Sequence, residues 1–71
     1  MIWDDFLVKL KDFGGKVTKE NGFTIVEFTV TGDRRHITLQ IDDRKEPIDN
    51  VDVTRILNRF GINEMLFRCH L

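Results

Sequence analysis

The sequence is poor in the features that mark secreted, membrane-spanning or strongly basic proteins. It has one cysteine, Cys69, so no disulfide can form within the chain. It has no apolar run long enough for a signal peptide or a membrane span. Its 11 lysines and arginines are balanced by 12 aspartates and glutamates, so the chain has no bulk attraction for phosphate. These absences favour a cytoplasmic protein without membrane contact, and they restrict any nucleic-acid site to a local cluster of charge.

What remains is the composition of a small globular protein. Of the 71 residues, 41% are hydrophobic and 32% are charged, which gives enough apolar surface to offset the entropy lost on folding. The sequence contains no internal repeat, and we expect a single domain over residues 1–71. A chain of this length buries a modest core, so a homodimer is an alternative to the monomer.

Two segments have the apolar spacing of an amphipathic helix. Residues 3–13 carry apolar side chains at i, i+3, i+4 and i+7, and residues 51–60 repeat this period. Asp49 or Asn50 can cap the start of the second segment, and Gly61 can end it in the left-handed conformation. The sequence therefore predicts one helix near each end of the domain.

Between these helices the sequence predicts three antiparallel strands, over residues 16–20, 23–31 and 35–41. Asn21-Gly22 is the preferred pair for a two-residue type I′ turn, and Gly32-Asp33 is expected to turn the chain again. The middle strand has apolar residues at both odd and even positions, so both of its faces are partly apolar. This pattern leaves two interpretations open, a bulge or a second apolar contact outside the sheet.

The predicted fold is α+β, with the order α-β-β-β-α and a three-stranded antiparallel sheet packed on two helices. Residues 63–71 form a short C-terminal extra element that fits a helix or a strand, and we expect a helix. The predicted core consists of Phe6, Leu7, Leu10, Phe28, Ile37, Leu39, Ile56, Leu57 and Phe60.

This order of elements is that of the double-stranded-RNA-binding domain, and several segments resemble the HicA family of small mRNA-cleaving toxins, which have this fold. The segments are "FLVKLKDFGGKV", the "NG" turn, "GDRRHITLQI" and "VDVTRILNRFGINEMLF". The resemblance implies a toxin-antitoxin setting, with RNA or an antitoxin-like protein as the partner. The family cleaves RNA with a histidine early in the middle strand, where this sequence has Phe23 and Thr24. Neither side chain can shuttle a proton near neutral pH, so the resemblance supplies no catalytic residue.

His36 is the candidate catalytic residue if the protein is nevertheless an active ribonuclease. It follows Arg34 and Arg35, so an RNA phosphate beside it would meet two guanidinium groups and one imidazole. The alternative is a solvated histidine in an exposed strand, because the sequence places no second acid or base beside it.

Four arginines outside the predicted core form the predicted nucleic-acid surface: Arg34, Arg35, Arg55 and Arg59. Arg44 and Lys45 extend this surface if the loop before the second helix meets that helix. Acidic residues are interleaved with these cations, so a salt-bridged surface is the alternative. If the partner is a protein, we predict Phe23 as an aromatic anchor.

The sequence predicts no cofactor and no metal site. Cys69 and His70 are adjacent, but a zinc site needs three or four ligands, and we interpret Cys69 as a small buried hydrophobe. Three functions stay open: a HicA-like binding domain that lacks the family's histidine and binds a protein partner or RNA, an active ribonuclease using His36, and an unrelated protein-interaction domain. The near-neutral charge favours a protein partner over nucleic acid.

Overall fold

The computed structural model describes residues 1–69 and contains the predicted order of elements. In chain order these are α1 (Trp3–Asp12), β1 (Lys16–Glu20), β2 (Phe23–Val30), β3 (Asp33–Leu39), α2 (Asn50–Phe60) and α3 (Glu64–Cys69). The strands form one antiparallel sheet in the order β1-β2-β3. The α+β class and the α-β-β-β-α order are therefore confirmed.

Both hairpins turn through two residues with positive φ. Asn21 and Gly22 have φ of 52° and 84°, which confirms the predicted type I′ turn. In the second hairpin the turn residues are Thr31 and Gly32, with φ of 52° and 80°, so the predicted turn at Gly32-Asp33 is wrong by one residue. Asp33 is the first residue of β3, which starts and ends two residues earlier than predicted. The sequence misleads here because a β-branched threonine avoids the left-handed region.

Strand pairing is unbroken on both sides of β2, so the bulge considered from the sequence does not occur. Alternate side chains of a strand point to opposite faces of the sheet. Val26 and Phe28 point toward α1 and α2 and are buried. Phe23 and Ile25 lie on the other side, which we call the open face because none of the three described helices packs on it.

The core lies between the sheet and the helices and includes twelve buried apolar residues: Phe6, Leu7, Leu10, Val26, Phe28, Leu39, Ile48, Val53, Ile56, Leu57, Phe60 and Phe67. Eight of the nine predicted core residues are among them. Ile37 is only half-buried, although Leu39 on the same face of β3 is buried. Phe67 joins the core from α3, where the alternation of the sequence had left helix and strand open.

The two ends of α2 follow the sequence signals. The carboxylate of Asp49 accepts a hydrogen bond from the backbone N–H of Val51 at 2.8 Å, which confirms Asp49 as the N-cap. Gly61 has φ of 69°, and the N–H of Ile62 donates to the carbonyl oxygen of Leu57 at 2.9 Å. This is a Schellman motif, in which the left-handed glycine lets the chain leave the helix with its last carbonyls satisfied.

The C-terminal segment is helical over the six residues of α3. The Asn63 side chain caps this helix by accepting from the N–H of Leu66 at 3.1 Å. Cys69 is exposed, so its predicted burial is wrong. On a helix, Cys69 lies about 200° around the axis from Phe67, which takes the core-facing position. His70 lies outside the described residues.

Candidate functional site

Arg35 lies on the helix-covered face of β3 and binds the end of α2. Its Nη1 donates to the carbonyl oxygen of Arg59 at 3.3 Å, and its Nε lies 3.4 Å from the carboxylate of Asp33. A cation near the last carbonyls of a helix is stabilised by the helix dipole. The guanidinium of Arg35 therefore has a structural partner at the site where RNA phosphate was predicted to bind.

The other predicted arginines do not gather around Arg35. Arg34 is its neighbour in the strand and so lies on the opposite, open face of the sheet. Arg55 forms an ion pair with Asp52 on the same helix, at 2.8 Å. The structure brings together only Arg35 and the C-terminal turn of α2, which contains Arg59.

Arg44 and Lys45 lie at the start of α1 rather than beside α2. The backbone N–H groups of Trp3 and Asp4 donate to the carbonyl oxygens of Glu46 and Arg44, each at 3.0 Å. The Asp4 carboxylate also pairs with Arg44 at 2.8 Å and with Lys45 at 3.9 Å. The loop is held in this position, so the predicted extension of the basic surface does not form.

His36 lies on the open face with a carboxylate beside it. Its cross-strand partner in β2 is Glu27, and Lys16 of β1 pairs with Glu27 from the other side. The resulting row of Lys16, Glu27 and His36 contains an acid/base group that the sequence analysis did not place there. This pairing could have been predicted from the turns, because a two-residue hairpin loop determines which residues of its two strands lie opposite each other.

The row lies open to solvent. His36 is exposed, and its imidazole makes no hydrogen bond or ion pair with any of residues 1–69. The adjoining cleft measures about 90 Å³ and is lined by Lys16, Thr18, Ile25 and Glu27. A cleft this small cannot enclose a substrate and hold it against a proton donor.

Phe23, the predicted protein anchor, is the first residue of β2 and lies on the open face. Its side chain is 42% exposed, and its cross-strand neighbour is the charged Glu20. Ile25 follows on the same face and is half-buried. Phe23 is thus a partly covered ring at the end of a mainly polar face.

Apolar side chains on the helices are more exposed than Phe23. Val51 of α2 is 71% exposed, and Met65 and Leu66 of α3 are 75% and 66% exposed. A groove of about 520 Å³ follows α2 and is lined by Asn50, Val51, Thr54, Arg55 and Asn58. We call Val51, Met65, Leu66 and this groove the α2–α3 surface.

Polar side chains hold α3 alongside this groove. The Thr54 hydroxyl donates to the Glu64 carboxylate at 2.7 Å, and Arg68 donates to the Asn50 amide oxygen at 3.2 Å. The hydrogen bonds from Thr54 and then Arg68 lower the pKa of Glu64, because both stabilise its charged form. The later residue of α2 contacts the earlier residue of α3, so the two helices are antiparallel. Met65, one residue after Glu64, is directed to solvent.

Residues 1–69 place no group of three or more His, Cys, Asp or Glu side chains so that they could hold a metal ion. None of the helices in this described part of the chain is both long and apolar enough to cross a lipid bilayer. Comparisons with known protein families, with curated proteins and with solved structures give no match.

Proposed function

We propose that the protein is a small binding domain for a protein partner and that its contact surface is the α2–α3 surface. The observation that carries this proposal is the exposure of Val51, Met65 and Leu66 on two adjoining helices. Exposed apolar side chains mark sites of protein association, because burying them on binding releases their hydration water. The groove along α2 is wide open to solvent, so a partner can reach Val51 directly.

The proposal retains the HicA-like relationship. It is supported by the order of the elements and by the segments that resemble the family. The phenylalanine and threonine at the position of the family's histidine favour binding over catalysis, because neither can serve as a general acid or base. An antitoxin-like protein is then one class of partner.

The distribution of charge favours a protein over RNA as the partner. Arg35 is bound to the end of α2, Arg55 is paired with Asp52, and Arg34 lies on another face. RNA affinity depends on cations that neutralise several phosphates at once, and these arginines do not present one surface. The carbonyl end of α2 adds partial negative charge beside Arg59, which opposes phosphate binding there.

A ribonuclease is the second candidate, and the position of Glu27 opposite His36 favours it. An imidazole beside a carboxylate is a known arrangement for proton transfer. We place it second because the cleft beside this pair measures only about 90 Å³.

The proposed function is tested by photo-crosslinking in the native cells. A photoreactive phenylalanine analogue placed at Met65 should capture a protein, whereas the same analogue at Thr38 on the open face should not. The captured protein is then purified, and its affinity for the parent domain is measured by calorimetry. This second step separates a specific partner from an abundant bystander.

Variants of the purified domain identify the surface. Val51→Glu and Met65→Glu should each weaken binding by about tenfold or more, because each puts a charge where an apolar side chain is buried. Phe23→Ala on the open face is the matched control and should bind as the parent does. If Phe23→Ala abolishes binding while the two helix variants retain it, the partner uses the open face and the proposal is wrong.

A further inference from the structure

Strand β1 is an exposed edge of the sheet. It pairs with β2 on one side only, and its residues are exposed except Val17, which is half-buried against the core. Lys19 is exposed although its side chain lies on the helix-covered face. None of the three described helices therefore closes this edge.

The outward-pointing backbone groups of this edge belong to Val17 and Lys19. The hairpin closes at its two-residue turn with a hydrogen-bonded pair, Glu20 and Phe23, and such pairs alternate along an antiparallel ladder with pairs that are not hydrogen-bonded. The N–H and C=O groups of Val17 and Lys19 therefore point away from β2, and they have no hydrogen-bond partner within residues 1–69. Unpaired groups of this kind can bind another strand.

We propose that β1 pairs antiparallel with β1 of a second copy of this chain, around a two-fold axis between the two Thr18 residues. In this register Val17 lies opposite Lys19 of the second copy, so the outward-pointing backbone groups bond to each other. The result is one continuous sheet with the helices of both copies on the same side. This inference goes beyond the proposed function, because no residue of the α2–α3 surface belongs to β1.

The order of the charges along β1 selects a second copy as the partner. Lys16 and Glu20 lie on the open face at the two ends of the strand, with Thr18 midway between them. The two-fold pairing places Lys16 opposite Glu20 of the second copy at both ends, and the two Thr18 residues opposite each other at the centre. Opposite charges and threonine pairs in these positions stabilise antiparallel strands. Neither Lys16 nor Glu20 forms an ion pair within the described part of the chain.

Neighbouring registers of β1 lose this match. An axis centred on Lys19 would place the two copies of this lysine opposite each other, and like charges in opposed positions are destabilising. An axis centred on Val17 would place Lys16 opposite Thr18 rather than a carboxylate. The charges therefore favour one register among those that join the outward-pointing backbone groups.

Strand β3 is the other edge of the sheet and lacks this self-complementarity. A two-fold pairing centred on His36 would place Arg34 opposite Thr38 and Arg35 opposite Ile37 of a second copy, so no opposite charges would meet. The guanidinium of Arg35 is also bound to the end of α2. The proposed dimer therefore uses β1 and leaves β3 as the outer edge of each copy.

Charge reversal tests the pairing. Glu20→Lys leaves lysines facing each other at both ends of the contact, and Lys16→Glu leaves carboxylates, so each variant alone should dimerise about tenfold or more weakly than the parent. Lys19→Glu is the matched control, because it changes the net charge as Lys16→Glu does but lies opposite Val17. It should dimerise as the parent does.

Mixing the two variants tests the register itself. Glu20→Lys and Lys16→Glu should form a heterodimer when mixed in equal amounts, because each then meets the opposite charge at both ends. A single chain that carries both changes should again form a homodimer. Glu20→Lys remains decisive if Lys16→Glu does not fold, because its neighbour in β2 is the uncharged Phe23.

Sedimentation equilibrium over a concentration series measures the association. The contact is short, so the dimer should be weak and should form only at high protein concentration. NMR then identifies the register through a nuclear Overhauser effect between the Hα atoms of Lys16 and Glu20. Within one strand these residues are about 13 Å apart, so the signal arises only between two copies.

Three outcomes would overturn the proposal. One is a parent chain that stays monomeric up to its limit of solubility, and another is a dimer of the parent without the signal between Lys16 and Glu20. The third is a dimer that survives in Glu20→Lys. If that dimer is lost in Met65→Glu instead, the two copies associate through the α2–α3 surface.

Discussion

At the scale of single residues, strand register decides what each side chain can do. Arg34 and Arg35 are consecutive in the sequence, yet one lies on the open face and the other binds the end of α2. His36 and Glu27 are nine positions apart and lie side by side. A list of chemically suitable residues therefore predicts a site poorly until the turns have fixed the pairing.

Thr31 has an unfavourable backbone conformation that a substitution can relieve. It is the first turn residue of the second hairpin and has φ of 52°, where its branched side chain is crowded. Asparagine tolerates this region and is preferred in type I′ turns. Thr31→Asn should raise the free energy of unfolding by about 1 kcal/mol, which is an increase in the melting temperature of about 4–8 °C for a domain of this size.

Urea and thermal unfolding followed by circular dichroism measure this change. Thr38→Asn is the matched control, since Thr38 is exposed on β3 and gains nothing from an asparagine. An equal or lower stability for Thr31→Asn would show that the threonine is not strained in its turn.

At the scale of elements, Arg35 is predicted to stabilise α2, and Arg34 is not. Arg35→Ala removes the hydrogen bond to the Arg59 carbonyl oxygen and the charge at the end of the helix, so it should cost about 0.5–1.5 kcal/mol. Arg34→Ala should change the stability by less than about 0.5 kcal/mol, as at other exposed positions. The two variants have the same composition and differ only in the face of β3 that loses its charge.

Chemical denaturation of the parent and of both variants provides the measurement. Because the Arg35 contact is partly exposed, the loss should become smaller as the salt concentration is raised. Equal stabilities of the two variants would mean that Arg35 does not stabilise α2 and that its guanidinium is available to bind a ligand.

The ends of the elements were predictable wherever one residue type had a strong backbone preference. Asn21-Gly22 fixed the first turn, and Gly61 fixed the end of α2. The second turn was not predictable in the same way, since it uses Thr31 against its preference. The packing of α3 was not predictable either. The apolar residues around Phe67 fit the period of a strand as well as that of a helix, so only tertiary contacts decide between the two.

At the scale of the whole molecule, the sheet and the helices present different surfaces. Among residues 1–69, four of the six exposed large apolar residues lie on α1, α2 or α3, Met1 lies two residues before α1, and the open face contributes Phe23. The sequence predicted the fold class because periodicity reports burial. It could not predict the α2–α3 surface, because an exposed valine or methionine looks like a core residue until the packing is known.

The last prediction concerns the whole protein as a catalyst, and we expect the purified chain not to hydrolyse RNA. The row of Lys16, Glu27 and His36 has the groups for proton transfer, but it lies on an open face whose adjoining cleft of about 90 Å³ cannot hold a nucleotide in a fixed position. A fluorescence-quenched RNA substrate, incubated with the parent and with His36→Ala from acidic to neutral pH, provides the test. Glu27→Gln keeps the shape of the row while removing its base, and Arg55→Ala is a control far from it. Turnover by the parent that both His36→Ala and Glu27→Gln abolish, and that Arg55→Ala retains, would establish His36 as the general acid or base and make the protein a ribonuclease.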